Sequence, residues 1–238
     1  MRENILILDT VDSTNDYLKK EAEKGAPDGT VVIAREQTSG KGRKSHSFVS
    51  SSGGIYYSLL IRPEGYSPAD ILTLTPKAGV CVCHALRSAF GIRAGIKWVN
   101  DIFYHDKKIC GILAEGGAMG SADIPWVVIG IGVNLNQTVF PPELSGIATS
   151  LKLETGKDYS FDIFAEELTR HLDLMREDPF SASYLEEYRK LCITVGRDIT
   201  FVKDGVPHIS HASGIDDAFG LITEEGILRS GEVSVRPV

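Results

Sequence analysis

Apolar positions recur with a helical period in four stretches of the chain and form short strand-like runs in several others. Helices are predicted at "DSTNDYLKKEAEKG", "ADILTLTPKAGVCVCHALRSAFG", "SFDIFAEELTRHLDLMRE" and "SASYLEEYRKLC". Strands are predicted at "NILIL", which we expect to be buried, and at "GTVVIAR", "GIYYSLLIRP" and "IKWVN", with a hairpin at "DIFYHDKKICGILAEGG". The run "WVVIGIGVNLN" is apolar throughout, which predicts a central strand covered on both faces.

The pattern changes after Val195. From there to the C-terminus, short β-branched runs alternate with turn residues every few positions, which is typical of a small all-β barrel. The sequence therefore predicts two domains: an α+β domain over residues 1–194 and a barrel over residues 195–238.

Composition and charge narrow the class of protein. The chain has 238 residues, of which 42% are hydrophobic, and a formal charge of -7, which is ordinary for a globular protein. The acidic balance argues against binding to a nucleic-acid backbone. The four cysteines and six histidines show no metal-ligand spacing, and no stretch predicts a signal peptide or a membrane span. We expect a reduced, cytoplasmic protein without a metal site, a nucleic-acid partner or a membrane partner.

A long cationic segment, "REQTSGKGRKSHSFVSSSGG", separates two of the predicted strands. Gly40 and Gly42 let the backbone approach a ligand closely, and Lys41, Arg43 and their neighbours add positive charge, so the segment predicts an anion site that suits phosphate. It lacks the upstream glycine of a P-loop, and no G-x-G-x-x-G dinucleotide motif occurs in the chain. A solvated linker is the alternative interpretation.

Six short motifs follow one another along the chain: "DSTND", "REQTSGKGR", "KWVND", "KKICGILAE", "VIGIGVNLN" and "TSL". In this order they resemble the catalytic region of biotin protein ligases, also called biotin–acetyl-CoA-carboxylase ligases, and the late "SGEVSVR" resembles the close of that family's last domain. The resemblance implies an α+β catalytic domain like that of class II aminoacyl-tRNA synthetases, with a mixed sheet and helices, followed by a small SH3-like barrel. It also implies a short form without the N-terminal DNA-binding domain. Ser45, His46, Phe48 and Val99 depart from the family's usual residues.

The resemblance implies a reaction in two steps. ATP and biotin, with Mg²⁺ accompanying ATP, give biotinyl-5′-AMP, and the biotinyl group then passes to a lysine of a biotin carboxyl carrier domain. A lipoate or octanoate protein ligase-like acyltransferase and a non-catalytic biotin-binding module are the alternatives. A homodimer is left open.

Site residues carry over from the family motifs. Arg43 and Lys108 are expected to stabilise the charge that develops during adenylation, and Asp101 is expected to accept or orient the proton of the incoming lysine. The predicted biotin-binding residues are Ser13, Thr14, Asn15, Gln37, Gly40, Lys41, Gly42, Arg43, Lys108, Gly111 and Gly130. The predicted ATP-binding residues are Lys41, Arg43, Phe48, Lys97, Asn100, Lys108 and Asn134. Helix caps, turn residues and surface lysines are the plainer interpretations of several of them.

Overall fold

The computed structural model describes residues 4–43, 47–117, 124–203, 205–229 and 236–237. Lys44, Ser45 and His46 of the cationic segment lie outside the described residues, and so does most of the "SGEVSVR" segment. Within the described part of the chain, no helix is long and apolar enough to cross a membrane.

A mixed sheet of seven strands forms the centre of the fold. Its strands are β1 (Ile5–Val11), β2 (Val31–Gln37), β3 (Ile55–Ile61), β4 (Gly95–Lys97), β5 (Asp101–Tyr104), β6 (Lys107–Gly116) and β7 (Val127–Val133). Across the sheet the order is β1-β2-β3-β7-β6-β5-β4. Strands β1 and β2 are parallel, and the other neighbours are antiparallel. Strand β7 lies in the middle of the sheet, which confirms its predicted central position, but Gly130 and Gly132 are only partly buried, so the predicted cover on both faces is incomplete.

Two strand predictions need correction. The segment "NILIL" is not buried, because β1 is an edge strand of the sheet, and Leu6 and Ile7 are each 38% exposed. An apolar run alone does not tell which strand will lie at an edge. The "IKWVN" strand ends at Lys97, and residues 98–100 form a turn.

In the described residues, five α-helices and the 3-10 turn Pro142–Leu144 accompany the sheet. The helices are α1 (Thr14–Glu23), α2 (Pro68–Phe90), α3 (Leu151–Thr155), α4 (Phe161–Glu177) and α5 (Ser183–Leu191). Helices α2, α4 and α5 contribute to one large core on one face of the sheet. Pro76 lies inside α2 without ending it.

Helix α1 packs on the opposite face of the sheet. Leu18 and Ala22 of this helix form a second, smaller core with Val32, Leu60 and Val128 from three neighbouring strands. Because side chains alternate between the two faces of a strand, every second residue of β3, β6 and β7 points to this face. The helix covers only one end of the face, so the other end remains open.

A second, five-stranded sheet follows α5 and is open in the described residues. It consists of β8 (Asp198–Lys203), β9 (Val206–Ile215), β10 (Leu221–Thr223), β11 (Gly226–Leu228) and β12 (Arg236–Pro237), in the order β11-β10-β9-β8-β12. Its buried side chains, including Phe201 and Leu221, belong to the same large core as α2. The indole of Trp98 is buried and donates a hydrogen bond to the carbonyl oxygen of Phe219 at 2.9 Å, so the two sheets are joined through packed, polar contacts.

Candidate active site

The floor of a cavity lies on the open end of the sheet face that α1 partly covers. One row of paired residues crosses four strands there: Tyr56 of β3, Gly132 of β7, Gly111 of β6 and Asp101 of β5. The two central positions of the row carry no side chain, so the floor is low between Tyr56 and Asp101. The cavity above it has a volume of about 230 Å³.

Most of the residues predicted for the site line this cavity, although they come from five separate parts of the chain. They are Ser13, Thr14, Asn15, Gln37, Lys41, Gly42, Arg43, Phe48, Asn100, Asp101, Lys108, Gly111 and Gly130. The structure therefore brings together the motifs "DSTND", "REQTSGKGR", "KWVND", "KKICGILAE" and "VIGIGVNLN" at one place. What each side chain binds stays a prediction.

The first turn of α1 forms one wall of the cavity. Ser13 is the N-cap, and its side chain accepts a hydrogen bond from the backbone N–H of Asp16 at 3.3 Å. Thr14 donates to Oε1 of Gln37 from both its backbone N–H, at 2.8 Å, and its hydroxyl, at 3.0 Å. The capping role and a place in the cavity wall thus occur together, because the helix begins at the cavity.

Both polar atoms of the Asn15 amide form hydrogen bonds. Its Nδ2 donates to Oε2 of Glu115 at 2.8 Å, and its Oδ1 accepts from the hydroxyl of Ser58 at 2.6 Å. The side chain lies directly on Gly130, where any Cβ would collide with it. Gly130 is therefore needed for the close approach of Asn15, which is a different reason from the ligand contact expected from the sequence.

The cationic segment turns back on itself over the cavity. The N–H of Phe48 donates to the carbonyl oxygen of Gly40 at 2.9 Å, and a Cβ at Gly40 would collide with Ser50 and with the carbonyl oxygen of Phe48. The ring of Phe48 lies over the low part of the floor. A methyl group at Gly132 would be 2.5 Å from its Cε1, and one at Gly111 would be 3.1 Å from its Cε2.

Two basic side chains stand at the wall opposite α1. The Nζ atom of Lys108 forms a 2.7 Å ion pair with Oδ1 of Asp101, and it lies 5.8 Å from the centre of the Phe48 ring. Arg43 donates from NH1 to Oδ1 of Asn100 at 2.9 Å. The amide of Asn100 donates in turn to the carbonyl oxygen of Ile112 at 2.9 Å. Arg43 therefore has a neutral partner at this wall, whereas Lys108 has a carboxylate.

Three predicted site residues do not line this cavity. Gly40 is buried within the cationic segment, against Ser50 and the carbonyl oxygen of Phe48. Lys97 lines a different cavity, beside Phe103 and Arg197. Asn134 is buried and donates to the carbonyl oxygen of Thr149 at 3.0 Å, so its amide lies behind the floor.

Comparison with known proteins places this arrangement in a family. The model of the biotin/lipoate A/B protein ligase family matches residues 7–134, which is more than half of the chain and includes all of the cavity wall formed by α1, the cationic segment and β5–β7. The chain belongs to this family.

Individual relatives agree with that assignment. The bifunctional ligase/repressor BirA of Bacillus spizizenii is 40% identical over 160 residues, which is 66% of this chain and 49% of that protein. The biotin–acetyl-CoA-carboxylase ligase of Mycobacterium tuberculosis is 29% identical over 234 residues, covering 93% of this chain and 85% of its own. The chain spans about half the length of the Bacillus relatives it matches.

Solved structures extend the likeness to the whole chain. The biotin protein ligase of Aquifex aeolicus, determined in complex with biotin and ATP, has a TM-score of 0.83 and 27% identity, with both chains covered completely. The same enzyme without ligands has a TM-score of 0.78. The mixed α+β architecture predicted from the sequence is confirmed by this agreement.

Some side chains that hold the residues of this cavity were not singled out from the sequence. Ser58 is fully buried in β3, and its hydroxyl also lies 2.8 Å from that of Thr14. Glu115 ends the motif "KKICGILAE" and binds Asn15 and Lys19. A polar residue inside the apolar run "IYYSLLI" is a signal that could have identified Ser58, because a buried hydroxyl requires a partner. Glu115 gives no such signal, because its side chain is partly exposed and could be satisfied by water.

Proposed function

We propose that this chain is an ATP-dependent ligase that activates biotin as biotinyl-5′-AMP and transfers it to a lysine of a biotin carboxyl carrier protein. The observation that carries the proposal is the pairing of Lys108 with Asp101 and of Arg43 with Asn100 at one wall of a glycine-floored cavity. The family assignment and the full-length likeness to a ligase bound to biotin and ATP support it.

The first step joins two anions, so it needs positive charge at the cavity wall. A carboxylate oxygen of biotin attacks the α-phosphorus of ATP, a C–O–P bond forms, and the bond to pyrophosphate breaks. Lys108 and Arg43 are the cations on the wall that holds Asn100 and Asp101. Fixed charges of this kind stabilise the added negative charge of the transition state more than that of the separate reactants.

The ion pair between Lys108 and Asp101 links the two steps. When the carboxylate and phosphate groups draw the ammonium of Lys108 to themselves, Asp101 loses its partner and its carboxylate becomes available. In the second step the amine of the acceptor lysine attacks the carbonyl carbon of the anhydride, an amide forms, and AMP leaves. Asp101 accepts or orients the proton that this amine gives up.

Magnesium enters this proposal only with ATP. Among the described residues, no group of three or more His, Cys, Asp and Glu side chains is arranged to hold a metal ion. Mg²⁺ commonly keeps several waters and binds through substrate phosphates, so we expect the phosphates of ATP to be its main ligands.

The C-terminal region is proposed to be the SH3-like barrel that the family resemblance implies, with a domain boundary near residue 194. Its support is the succession of short antiparallel strands from β8 to β12, in which the last strand pairs with the first. The shared core with α2 suggests that the barrel is docked firmly and not tethered loosely.

A single incubation tests the proposed function. The chain is mixed with biotin, MgATP and a carrier domain, and the masses of the carrier and of the nucleotide products are measured. We expect one biotinyl group on the carrier, with AMP and pyrophosphate released. Parallel reactions with lipoate and with octanoate address the other substrates of this family. Pyrophosphate release with one of those acids and not with biotin would reassign the substrate, and biotin binding without any pyrophosphate would favour a non-catalytic module.

A further inference from the structure

The cationic segment is linked to the first turn of α1 at two points. At the first, the N–H groups of Thr38 and Ser39 donate to the carbonyl oxygens of Val11 and Asp12, just before α1, at 3.0 and 2.8 Å. At the second, Oε1 of Gln37 accepts from the N–H of Thr14 at 2.8 Å, and Nε2 of Gln37 donates to the hydroxyl of Ser50, further along the segment, at 2.9 Å. Both points lie beside the first turn of α1, so this turn is the platform on which the segment closes.

A third contact joins the segment to α1, and this contact is an ion pair. Nζ of Lys41 forms an ion pair with Oδ2 of Asp16 at 2.6 Å, and Oδ1 of Asp16 also contacts Nζ of Lys19 at 2.8 Å. Lys19 continues to Oε1 of Glu115 at 2.9 Å. Four alternating charges therefore connect the segment, through α1, to strand β6.

Asp16 is the point at which this chain of charges meets the segment. Its side chain is 24% exposed, and it has basic partners on both sides. An isolated surface ion pair contributes little to stability, but a partly shielded pair within a network of several charges contributes more. Lys19 bridges Asp16 and Glu115, and Glu115 also accepts a hydrogen bond from the amide of Asn15. These contacts hold Asp16 in place.

We infer that Asp16 is a positioning residue: by binding Lys41, it holds the start of the cationic segment on α1, so that Arg43 and Phe48 lie over the cavity. The two cations of "GKGR" then have separate tasks. The charge of Lys41 is compensated by Asp16, whereas Arg43 donates to a neutral amide and keeps its charge for an anion. The consequence for catalysis rests on the proposed function, but the contact itself does not.

The first test requires no ligand. Amide exchange is followed at Phe48, whose N–H donates to the carbonyl oxygen of Gly40, in the unsubstituted chain and in Asp16→Asn. Loss of one charged contact should speed this exchange by about three- to tenfold. Glu21→Gln is the matched control, because it removes an acid of the same helix that pairs with the exposed Lys24. It should leave Phe48 exchange unchanged.

A double-mutant cycle separates the pair from a general weakening of α1. If Lys41→Gln accelerates exchange as Asp16→Asn does, and the double variant is no faster than either, the two side chains act together. Asp16→Glu should restore part of the protection. Additive effects of the two substitutions, or unchanged exchange in Asp16→Asn, would overturn the inference.

The second test measures the consequence for the reaction. In Asp16→Asn we expect biotinyl-AMP to dissociate about three- to tenfold faster and KM for biotin to rise, while kcat for pyrophosphate release changes less than twofold. A helix that was merely destabilised would lower the active fraction and leave KM unchanged. If the wild-type chain releases no pyrophosphate, the proposed function fails, whereas the exchange result still decides whether Asp16 positions the segment.

Discussion

The sheet face that α1 partly covers has two ends, and the same strands form a packed core at one end and the floor of a cavity at the other. At one end, Leu60 of β3 and Val128 of β7 are buried under Leu18 of α1. At the other end, two pleats further along β7, Gly132 leaves the floor low. Strand alternation is the same at both ends, so the difference lies in side-chain volume alone. One end is packed with apolar side chains, and the other leaves a cavity above the floor.

Electrostatics follows the same division. The small core under α1 is built from apolar side chains, such as Leu18, Leu60 and Val128. The open end is bordered by Arg43, Lys108 and Asp101, each paired within the cavity wall. The comparison therefore predicts that substitutions at the open end change rates, and that substitutions at the packed end change stability.

The largest effect is expected for Asp101→Asn. This variant should transfer biotin from the adenylate to the carrier about 10²–10⁴-fold more slowly, because a positioned acid–base group is lost. Adenylation should continue, since Lys108 has merely lost its counter-ion. The measurement is a single turnover in which adenylate is formed first and the carrier is then added. Equal losses in both steps would make Asp101 a nucleotide-site residue instead.

Lys108→Ala should slow the first step, the adenylation of biotin, and not the transfer to the carrier. Adenylation should slow by about 10²–10³-fold even at saturating biotin, since a charge aimed at the reacting phosphate is removed. Lys107→Ala is the matched control, because the neighbouring lysine of the same strand pairs with Glu154 and not with Asp101. Pyrophosphate release in rapid-quench experiments measures both variants. If Lys107→Ala slows adenylation as much as Lys108→Ala, the effect is not specific to the cavity.

Leu18→Ala tests the packed end without changing a residue that lines the cavity. Leu18 is fully buried, so truncation should lower the free energy of unfolding by about 2–5 kcal/mol. The activity per folded molecule should stay close to normal at low temperature. Denaturant unfolding measures the loss, and Leu72→Ala, at an exposed position of α2, is the control with little expected change. A large loss of stability in Leu72→Ala, or none in Leu18→Ala, would contradict the division between the two ends.

Much of the fold could be predicted from the sequence, because periodicity and capping are local. The strand β7, a helix cap at Asp12 or Ser13 and the turn of the hairpin between β5 and β6 all follow from short stretches, and the structure shows Ser13 as the cap. The edge position of β1 and the short helix α3 could not be predicted. The first depends on which strands become neighbours, and the second is only five residues long.

For the site, the sequence identified most of the residues that line the cavity but not the contacts between them. The glycines at positions 111, 130 and 132 mark places of close approach, but the sequence does not tell what approaches them. In the structure those groups are the side chains of Asn15 and Phe48, which are distant in the chain. The contact between Arg43 and Asn100 spans 57 residues, so it depends on the register of the whole sheet. Such pairs are set by tertiary structure and leave no local pattern.

The smallest of these effects is expected for Arg43→Ala, which sharpens the comparison within the open end itself. Arg43 contacts a neutral amide at 2.9 Å, so its charge remains available to an anion in the cavity. Removing one charged hydrogen bond should cost about 1–3 kcal/mol, which would appear as slower adenylation and faster dissociation of biotinyl-AMP. Arg35→Ala is the matched control, because that guanidinium lies 4.1 Å from the centre of the Phe161 ring and does not line the cavity. If pyrophosphate release and adenylate dissociation are unchanged in Arg43→Ala, Arg43 is not part of the site. If Arg35→Ala has the same effect, the reaction depends on the net positive charge of the region and not on the position of the Arg43 guanidinium.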